Sequence, residues 1–150
     1  MNSHRTLVPL IAACVLLARP APAQQAEIIG IYSDLCWHRE SGGDVLGDRF
    51  TIFHAGALDY AVAESAEGEL GAPIIAKNTK IADGRIEFAL PRDTLPGNGR
   101  PDEVFTGTID DQAITGSFSS PRTDRKGNKV LHLPRVPNGA DADRFPECQD

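Results

Sequence analysis

Apolar and polar residues alternate with a period of two along most of this 150-residue chain, and this alternation limits the fold more than any other feature. A strand points successive side chains to opposite faces, whereas a surface helix repeats its apolar residues every three to four positions. The alternating runs are short, and Gly, Asp, Asn and Pro residues separate them. They cover residues 27–33, 49–54, 58–65, 72–77, 79–82, 85–90, 103–109, 113–118 and 129–133. The sequence therefore predicts an all-β domain of about eight strands.

One hairpin follows directly from a turn dipeptide. Asp83-Gly84 separates two alternating runs and is typical of a two-residue type I′ turn. Such a turn places Ile81 opposite Ile86 on the inner face of the sheet. It also places Lys80 opposite Glu87 on the outer face, where we expect a surface ion pair.

A second hairpin is predicted at Asp110-Asp111. A two-residue turn there sets Gly107 opposite Ile114 and Phe105 opposite Gly116, so that each glycine faces a large side chain. The alternation divides the two strands into an apolar and a polar face. The apolar face contains Phe105, Ile109, Ile114 and Phe118, and the polar face contains Thr106, Thr108, Ala113, Thr115 and Ser117. We expect Phe105 and Phe118 to be buried and Thr106 and Ser117 to face outward.

Short sequential strands joined by tight turns favour a small antiparallel up-and-down β-barrel of lipocalin- or calycin-like shape, with a β-sandwich as the alternative. Closure removes strand edges, and interior glycines provide bends. Gly30-Ile31-Tyr32 in the first run is similar to the glycine-x-aromatic opening of lipocalin-like barrels, with Tyr in place of Trp. Loops are predicted at residues 37–48, 91–102 and 119–128, and an irregular tail at residues 134–150.

The first 23 residues are typical of a secretory signal peptide. Arg5 precedes a twelve-residue apolar run over residues 7–18, and Ala21-Pro22-Ala23 matches the small-x-small cleavage pattern. Twelve residues are too few to span a bilayer as a helix, so we expect no stable membrane insertion. The predicted mature chain is a single β domain of residues 24–150, located in the periplasm or secreted.

The cysteines bear on both location and fold. Ile11-Ala12-Ala13-Cys14 is similar to a bacterial lipobox, so a lipoprotein anchored at Cys14 is the alternative localisation. Cleavage after Ala23 leaves only Cys36 and Cys148, and an exported cysteine pair predicts a disulfide. Their wide separation is not a zinc-binding spacing, so no metal site is predicted.

The charge of the chain restricts its partners. The net charge is −6, and loss of Arg5 and Arg19 with the signal peptide leaves 13 basic against 21 acidic residues, a net charge of −8. Such a chain repels phosphate backbones, which excludes a nucleic-acid partner. A protein partner, if the domain has one, is expected to be basic.

Known catalytic motifs are absent from the sequence. It contains no G-x-S-x-G, H-E-x-x-H, Walker A or C-x-x-C pattern, so neither catalytic residues nor a cofactor are predicted. The candidate ligand contacts are Trp37 and His38, which lie beside the carboxylates of the 37–48 loop, and His132. His54 and His132 lie on strands from which an imidazole could face a barrel interior.

These observations predict an exported small β-barrel domain that acts as a non-catalytic module in the bacterial cell envelope or medium. It would bind an unidentified small ligand or a basic protein. The alternative is a small extracytoplasmic hydrolase in which His38 serves as the general base, because an imidazole titrates near neutral pH.

Overall fold

A computed structural model describes residues 26–91, 101–119, 130–137 and 144–149. Within these ranges the chain forms ten β-strands and no helix, which confirms the all-β prediction. The strands are β1 (Glu27–Ser33), β2 (Cys36–His38), β3 (Asp44–Ala55), β4 (Leu58–Gly68), β5 (Ile74–Ile75), β6 (Lys77–Ala82), β7 (Arg85–Leu90), β8 (Glu103–Ile109), β9 (Ala113–Ser119) and β10 (Val130–Pro134). No described helix has the length and apolar character needed to cross a membrane.

The strands form two antiparallel five-stranded sheets. The first has the order β1-β3-β4-β5, with β2 also paired to β3, and the second has the order β10-β9-β8-β7-β6. At one margin the chain passes from β5 to β6, and the Ala76 N–H donates to the Ala61 carbonyl at 2.9 Å. At the other margin Tyr32 and Arg135 form an isolated bridge, and the Val136 N–H donates to the Ile31 carbonyl at 2.8 Å. The two sheets are therefore in contact along both margins.

The core between the sheets is built around four phenylalanines. Phe50 comes from the first sheet, and Phe88, Phe105 and Phe118 come from the second. Every pair of these rings has a centroid separation between 5.0 and 6.3 Å. Phe50, Phe88 and Phe105 are fully buried, whereas Phe118 is partly exposed. This aromatic cluster is the main packing contact between the two sheets.

The Asp83-Gly84 hairpin forms as predicted. Both turn residues have positive φ, 51° for Asp83 and 70° for Gly84, as a type I′ turn requires. Ile81 pairs with Ile86 and Lys80 with Glu87. Both side chains are exposed on the outer face as expected, but they form no ion pair with each other.

The register predicted for the second hairpin is wrong. The Asp110 Oδ1 atom accepts hydrogen bonds from the main-chain N–H groups of Gln112 and Ala113, both at 2.8 Å. This Asx turn makes Asp110 the first residue of the turn, so the turn centres on Asp111 and Gln112. Ile109 consequently pairs with Ile114 rather than with Gln112. The partner shifts by two residues, which preserves the predicted faces.

The corrected register places Gly107 opposite Gly116, not opposite a large side chain as predicted. A Cβ atom on Gly116 would lie 2.6 Å from Cζ of Phe105 and 2.4 Å from the Thr106 carbonyl oxygen. The glycine therefore lets the Phe105 ring pack directly on the neighbouring strand. As predicted, Phe105 is buried and Thr106 is exposed. Phe118, which we expected to be buried, and Ser117, which we expected to face outward, are both partly exposed.

The predicted 37–48 loop is also corrected, because most of it is paired. Cys36 pairs with Leu46 and His38 with Asp44, so that β2 and the start of β3 form a hairpin. Gly42 and Gly43 close this hairpin with φ values of 87° and 102°. The predicted signal peptide and most of the predicted 91–102 and 119–128 loops lie outside the described residues.

The Asp110 carboxylate is predicted to make the free energy of unfolding depend on pH in the acidic range. The two N–H donors of its turn lower the pKa of Asp110 below its ordinary value of 3.8. A carboxyl with a lower pKa in the folded state stabilises the fold above its unfolded-state pKa and loses that contribution as the pH falls through the folded-state pKa. Asp110→Asn keeps an acceptor oxygen but does not titrate. We therefore expect its stability deficit relative to the wild type to be largest at neutral pH and to shrink as the pH falls from 3.8 through the lowered pKa of the folded state.

Urea unfolding of both proteins across this pH range measures the effect. Asp111→Asn is the matched control, because the Asp111 carboxylate makes no hydrogen bond within the described residues. A deficit of Asp110→Asn that does not change with pH would contradict the assignment.

Candidate functional site

A cavity of about 370 Å³ opens at one end of the core, between the two sheets. Its apolar lining comes from Phe50, Ala63, Ile74, Leu90, Phe118 and Leu131. Its polar lining comes from Asp48, Glu64, Ser65 and Glu103. The cavity therefore combines a mostly apolar wall with an oxygen-rich, acidic rim.

The pairing of β3 with β4 explains how the cavity is built. Phe50 pairs with Ala63, and two residues nearer the end of the core Asp48 pairs with Ser65. Residues two apart on a strand share a face, so these four side chains lie on the inner face of the first sheet. The small Ala63 side chain leaves unfilled space in front of Ile74, its partner on β5. The apolar pair thus lies deep in the cavity and the polar pair at its rim.

The opposite end of the core is closed by polar contacts. The Tyr32 hydroxyl donates to the Asp110 carbonyl at 2.9 Å, and burial raises the pKa of this hydroxyl above its ordinary value, which keeps it a donor. A Cβ atom on Gly30 would lie 2.8 Å from the Tyr32 ring, so the Gly30-Ile31-Tyr32 sequence allows the ring to fold back over the strand. At this same end, His54 Nδ1 lies 2.5 Å from Asp59 Oδ1.

An ion pair fixes the strands at the cavity end. Arg49 and Glu64 pair across β3 and β4, with Nε to Oε2 at 2.7 Å and Nη2 to Oε1 at 2.9 Å. Both side chains are largely buried, 9% and 14% exposed. Two parallel hydrogen bonds in a partly buried position hold the geometry more firmly than a surface ion pair does.

The structure confirms the predicted disulfide. Cys36 and Cys148 are bonded, with their Cα atoms 4.9 Å apart, and the bridge indicates a non-reducing compartment. The adjoining main chain is paired as well. The Trp37 N–H donates to the Pro146 carbonyl at 2.8 Å, and the Cys148 N–H donates to the Trp37 carbonyl at 2.9 Å. The C-terminal segment is thus held against β2 by one covalent bond and a short parallel pairing.

The Trp37 side chain takes part in the same attachment. The Arg39 guanidinium lies 5.7 Å from the centre of the Trp37 ring, and its Nη2 atom lies 2.9 Å from Glu147 Oε2. These contacts give Trp37 a structural role in holding the C-terminal segment. They account for its position without a ligand.

The three histidines of the mature sequence lie apart and do not line the cavity. His38 is half-buried on β2, and the Ser41 hydroxyl contacts its main-chain carbonyl at 3.2 Å. His132 is exposed on the outer face of β10, where Nδ1 lies 2.9 Å from the Thr115 hydroxyl. His54 is held by Asp59. Trp37, His38 and His132 are therefore not brought together, and ligand contact by any of them stays a prediction.

Sequence reasoning placed most of the cavity residues on strands but did not identify the cavity. The only local signal was the pair of small inward residues on β4, Ala61 and Ala63, which lie opposite the bulky Ile52 and Phe50 of β3. Whether a small side chain leaves a void depends on the strands across the core, which the local pattern does not describe.

A second, more open groove of about 580 Å³ lies on the outer face of β6, β7 and β8. Its lining includes Lys80, Arg85, Glu87, Thr106 and Thr108. This groove lies on the solvent side of the second sheet, and charged side chains and threonine hydroxyls surround it, whereas the cavity lies between the two sheets against the aromatic cluster. Among the described residues, no three His, Cys, Asp or Glu side chains form a group that could hold a metal ion.

Comparison with known proteins found no match: no family model, no curated protein and no solved structure is similar to this chain. The arguments about function therefore depend on the geometry of the chain itself.

Proposed function

We propose that this protein is an exported, non-catalytic binding domain that takes a small apolar molecule into the cavity between its sheets. The observation that carries the proposal is the apolar cavity open at one end of a core whose two sheets are joined at the other end by the Tyr32–Asp110 hydrogen bond. Its volume of about 370 Å³ falls within the range of small-molecule sites. The Asp48 and Glu103 carboxylates and the Ser65 hydroxyl at the rim suit a polar end of the ligand that stays in contact with water, whereas the Glu64 carboxylate is paired with Arg49.

The size of the cavity sets the expected affinity. A ligand of about 15 non-hydrogen atoms that gains roughly 0.4 kcal/mol per atom would bind with about 6 kcal/mol. That free energy corresponds to a dissociation constant of tens of micromolar. Reversible binding of an abundant small molecule fits this affinity better than tight storage does.

The proposal includes an eight-stranded up-and-down barrel, with β5 and β6 counted as one bent strand and the short β2 left outside. The contacts along both margins support it: Ala76 to Ala61 on one side, and Val136 to Ile31 on the other. The Arg135 side chain adds a hydrogen bond to the Ile29 carbonyl at 2.7 Å on the second margin. A closed barrel would leave the cavity with a single entrance.

Export through the signal peptide, with cleavage after Ala23, is part of the proposal. The disulfide supports a location outside the reducing cytoplasm. Either the periplasm or the medium fits, and a lipoprotein anchored at Cys14 is the alternative. A basic protein partner stays a second proposal, motivated by the net charge alone. No contact among the described residues favours the hydrolase alternative.

Blocking the entrance tests the site. The neutral probe N-phenyl-1-naphthylamine fluoresces strongly in apolar surroundings, and we expect the wild type to bind it with micromolar affinity. Ser65 is exposed at the rim, so Ser65→Trp should place an indole across the entrance without disturbing the core. We expect this variant to bind the probe at least about tenfold more weakly, a loss of about 1.4 kcal/mol.

Thr106→Trp is the matched control, because Thr106 is an equally exposed strand residue in the outer groove. It should bind the probe as the wild type does, and thermal melts should show that both variants are folded. Absence of probe binding by the wild type, or its loss only in Thr106→Trp, would overturn the cavity assignment. Undiminished binding by folded Ser65→Trp would show a second entrance and contradict the closed barrel.

A further inference from the structure

The outer face of the first sheet is apolar although it faces solvent. We define the outer apolar face as the outward side chains of β1, β3, β4 and β5 near the β3–β4 turn. Its members are Ile28, Ile31, Phe53, Leu58, Tyr60, Val62 and Ile75. An antiparallel sheet with one solvated face normally carries polar residues there, as the second sheet does with Thr106, Thr108 and Thr115. A sheet that is apolar on both faces is typical of one covered on both faces.

The strand register makes this face continuous. Phe53 pairs with Ile28 on one side and with Tyr60 on the other, which forms one row across three strands. In the next row Ile31 pairs with Thr51, Thr51 with Val62, and Val62 with Ile75, so that one uncharged threonine lies among the apolar side chains. The Phe53 and Tyr60 rings are stacked, with centroids 5.2 Å apart and planes 10° apart.

Three of these side chains are strongly exposed. The exposed fraction is 63% for Ile28, 61% for Leu58 and 67% for Ile75. Large aliphatic side chains scattered singly on a surface need no explanation, but a contiguous group of this kind marks an interaction site. The fold itself gives no reason for the group, since none of the three lies in the core between the sheets.

We propose that the outer apolar face is the interface of a homodimer, in which it packs against the same face of a second copy. A two-fold axis brings identical patches together, so an uncharged apolar patch is its own complement. The outer apolar face contains no Lys, Arg, Asp or Glu. Two copies of the predicted mature chain, with a net charge of −8 each, can therefore meet there without placing like charges in contact.

The charge pattern disfavours the other occupants of such a face. A basic protein would find no carboxylate within the face to pair with. A bilayer surface with anionic lipids would repel the acidic chain, and the cations that border the face already make contacts: Arg49 with Glu64, Lys77 with Asp102, and Arg135 with the Ile29 carbonyl. An uncharged apolar protein surface is the remaining partner, and a second copy supplies one.

The size of the face sets the strength of the dimer. Four strands about 4.8 Å apart and three rows about 7 Å apart give a patch of about 400 Å² once side-chain width is included. A standard interface buries about 800 Å² on each partner. The dimer should therefore be weak and dependent on concentration.

Sedimentation velocity on the mature protein tests the proposal. We expect the weight-average mass to rise from monomer towards dimer between about 1 and 500 µM, as for a weak self-association. Ile75→Lys places a charge at the most exposed position of the face and should weaken association at least about tenfold. Val130→Lys is the matched control, because Val130 is 66% exposed on the other sheet, and it should associate as the wild type does.

The outcomes separate clearly. A monomer at every concentration, or equal weakening by Ile75→Lys and Val130→Lys, would overturn the proposal. Cosedimentation with phosphatidylcholine vesicles that Ile75→Lys abolishes, without self-association, would show that the face binds membranes instead and would also overturn it. Ile28 belongs to the same face but to a different row and strand, so Ile28→Lys should reproduce the Ile75→Lys result if the face as a whole forms the interface.

Discussion

Phe50→Ala is expected to destabilise the protein by about 3–5 kcal/mol, enough to unfold a domain of ordinary stability. Phe50 is the one ring of the aromatic cluster that the first sheet contributes, and it contacts all three rings of the second sheet. Removing it deletes the main packing contact between the sheets and enlarges the existing cavity beside it. The neighbouring side chains cannot collapse into the space, because they are held on two separate sheets.

Urea unfolding monitored by circular dichroism measures this loss. Phe53→Ala is the matched control: the same residue type lies three positions along the same strand, but on the outer face. At low protein concentration we expect it to cost about 1–1.5 kcal/mol, for the lost ring contact with Tyr60 and a partly buried side chain. Equal losses from the two substitutions would show that the aromatic cluster is not what joins the sheets.

Replacing both bridge cysteines, Cys36→Ser with Cys148→Ser, is expected to cost about 2–5 kcal/mol. The bond joins residues 112 positions apart, so it restricts the unfolded chain over almost its whole length. Without it, the C-terminal segment keeps only its short parallel pairing with β2 and the exposed Arg39–Glu147 ion pair. An exposed ion pair contributes less than about 1 kcal/mol, so the segment should detach before the rest of the domain unfolds.

Thermal melts with and without a thiol reductant measure the contribution of the bond. Reduction should lower the melting temperature of the wild type to that of the double variant and should leave the variant unchanged. The mass of the protein recovered after export tests location at the same time: a chain that begins at Gln24 and lacks two hydrogens is expected. A free thiol at Cys36, or a lipid on Cys14, would contradict the corresponding part of the prediction.

A loss of probe binding reports on the cavity only in a variant that remains folded. Phe50 lines the cavity, so a loss of binding in Phe50→Ala would not distinguish a missing wall from an unfolded domain. Ser65 touches the same cavity from its exposed rim and makes no core contact. The entrance variant is therefore the one that reports on binding alone.

The two hairpins show when a turn dipeptide determines the strand register and when it does not. Asp83-Gly84 allows a left-handed conformation at two successive residues, and that requirement alone fixes the register from Ile81 to Ile86. Asp110-Asp111 offers two carboxylates, either of which can cap a turn. The structure uses Asp110 as the cap, and nothing in the dipeptide itself selects it over Asp111. The wrong register shifted each cross-strand partner in this hairpin by two residues. It kept the inward and outward faces of the strands, since the alternation that places Phe105 and Ile109 on one face is independent of the turn.

The sequence by itself determined most of the strands, their inward faces and the Cys36–Cys148 bridge, because alternation is a property of neighbouring residues and the two cysteines outside the predicted signal peptide have only one intramolecular pairing. The tertiary structure alone decided where the cavity lies, that Trp37 holds the C-terminal segment, and that one outer face is apolar across four strands. Each of these depends on residues far apart in the chain. The cavity is the space left between Ala63, Phe118 and Leu131. Its volume depends on how far apart the two sheets lie and on how much of the space between them the side chains fill.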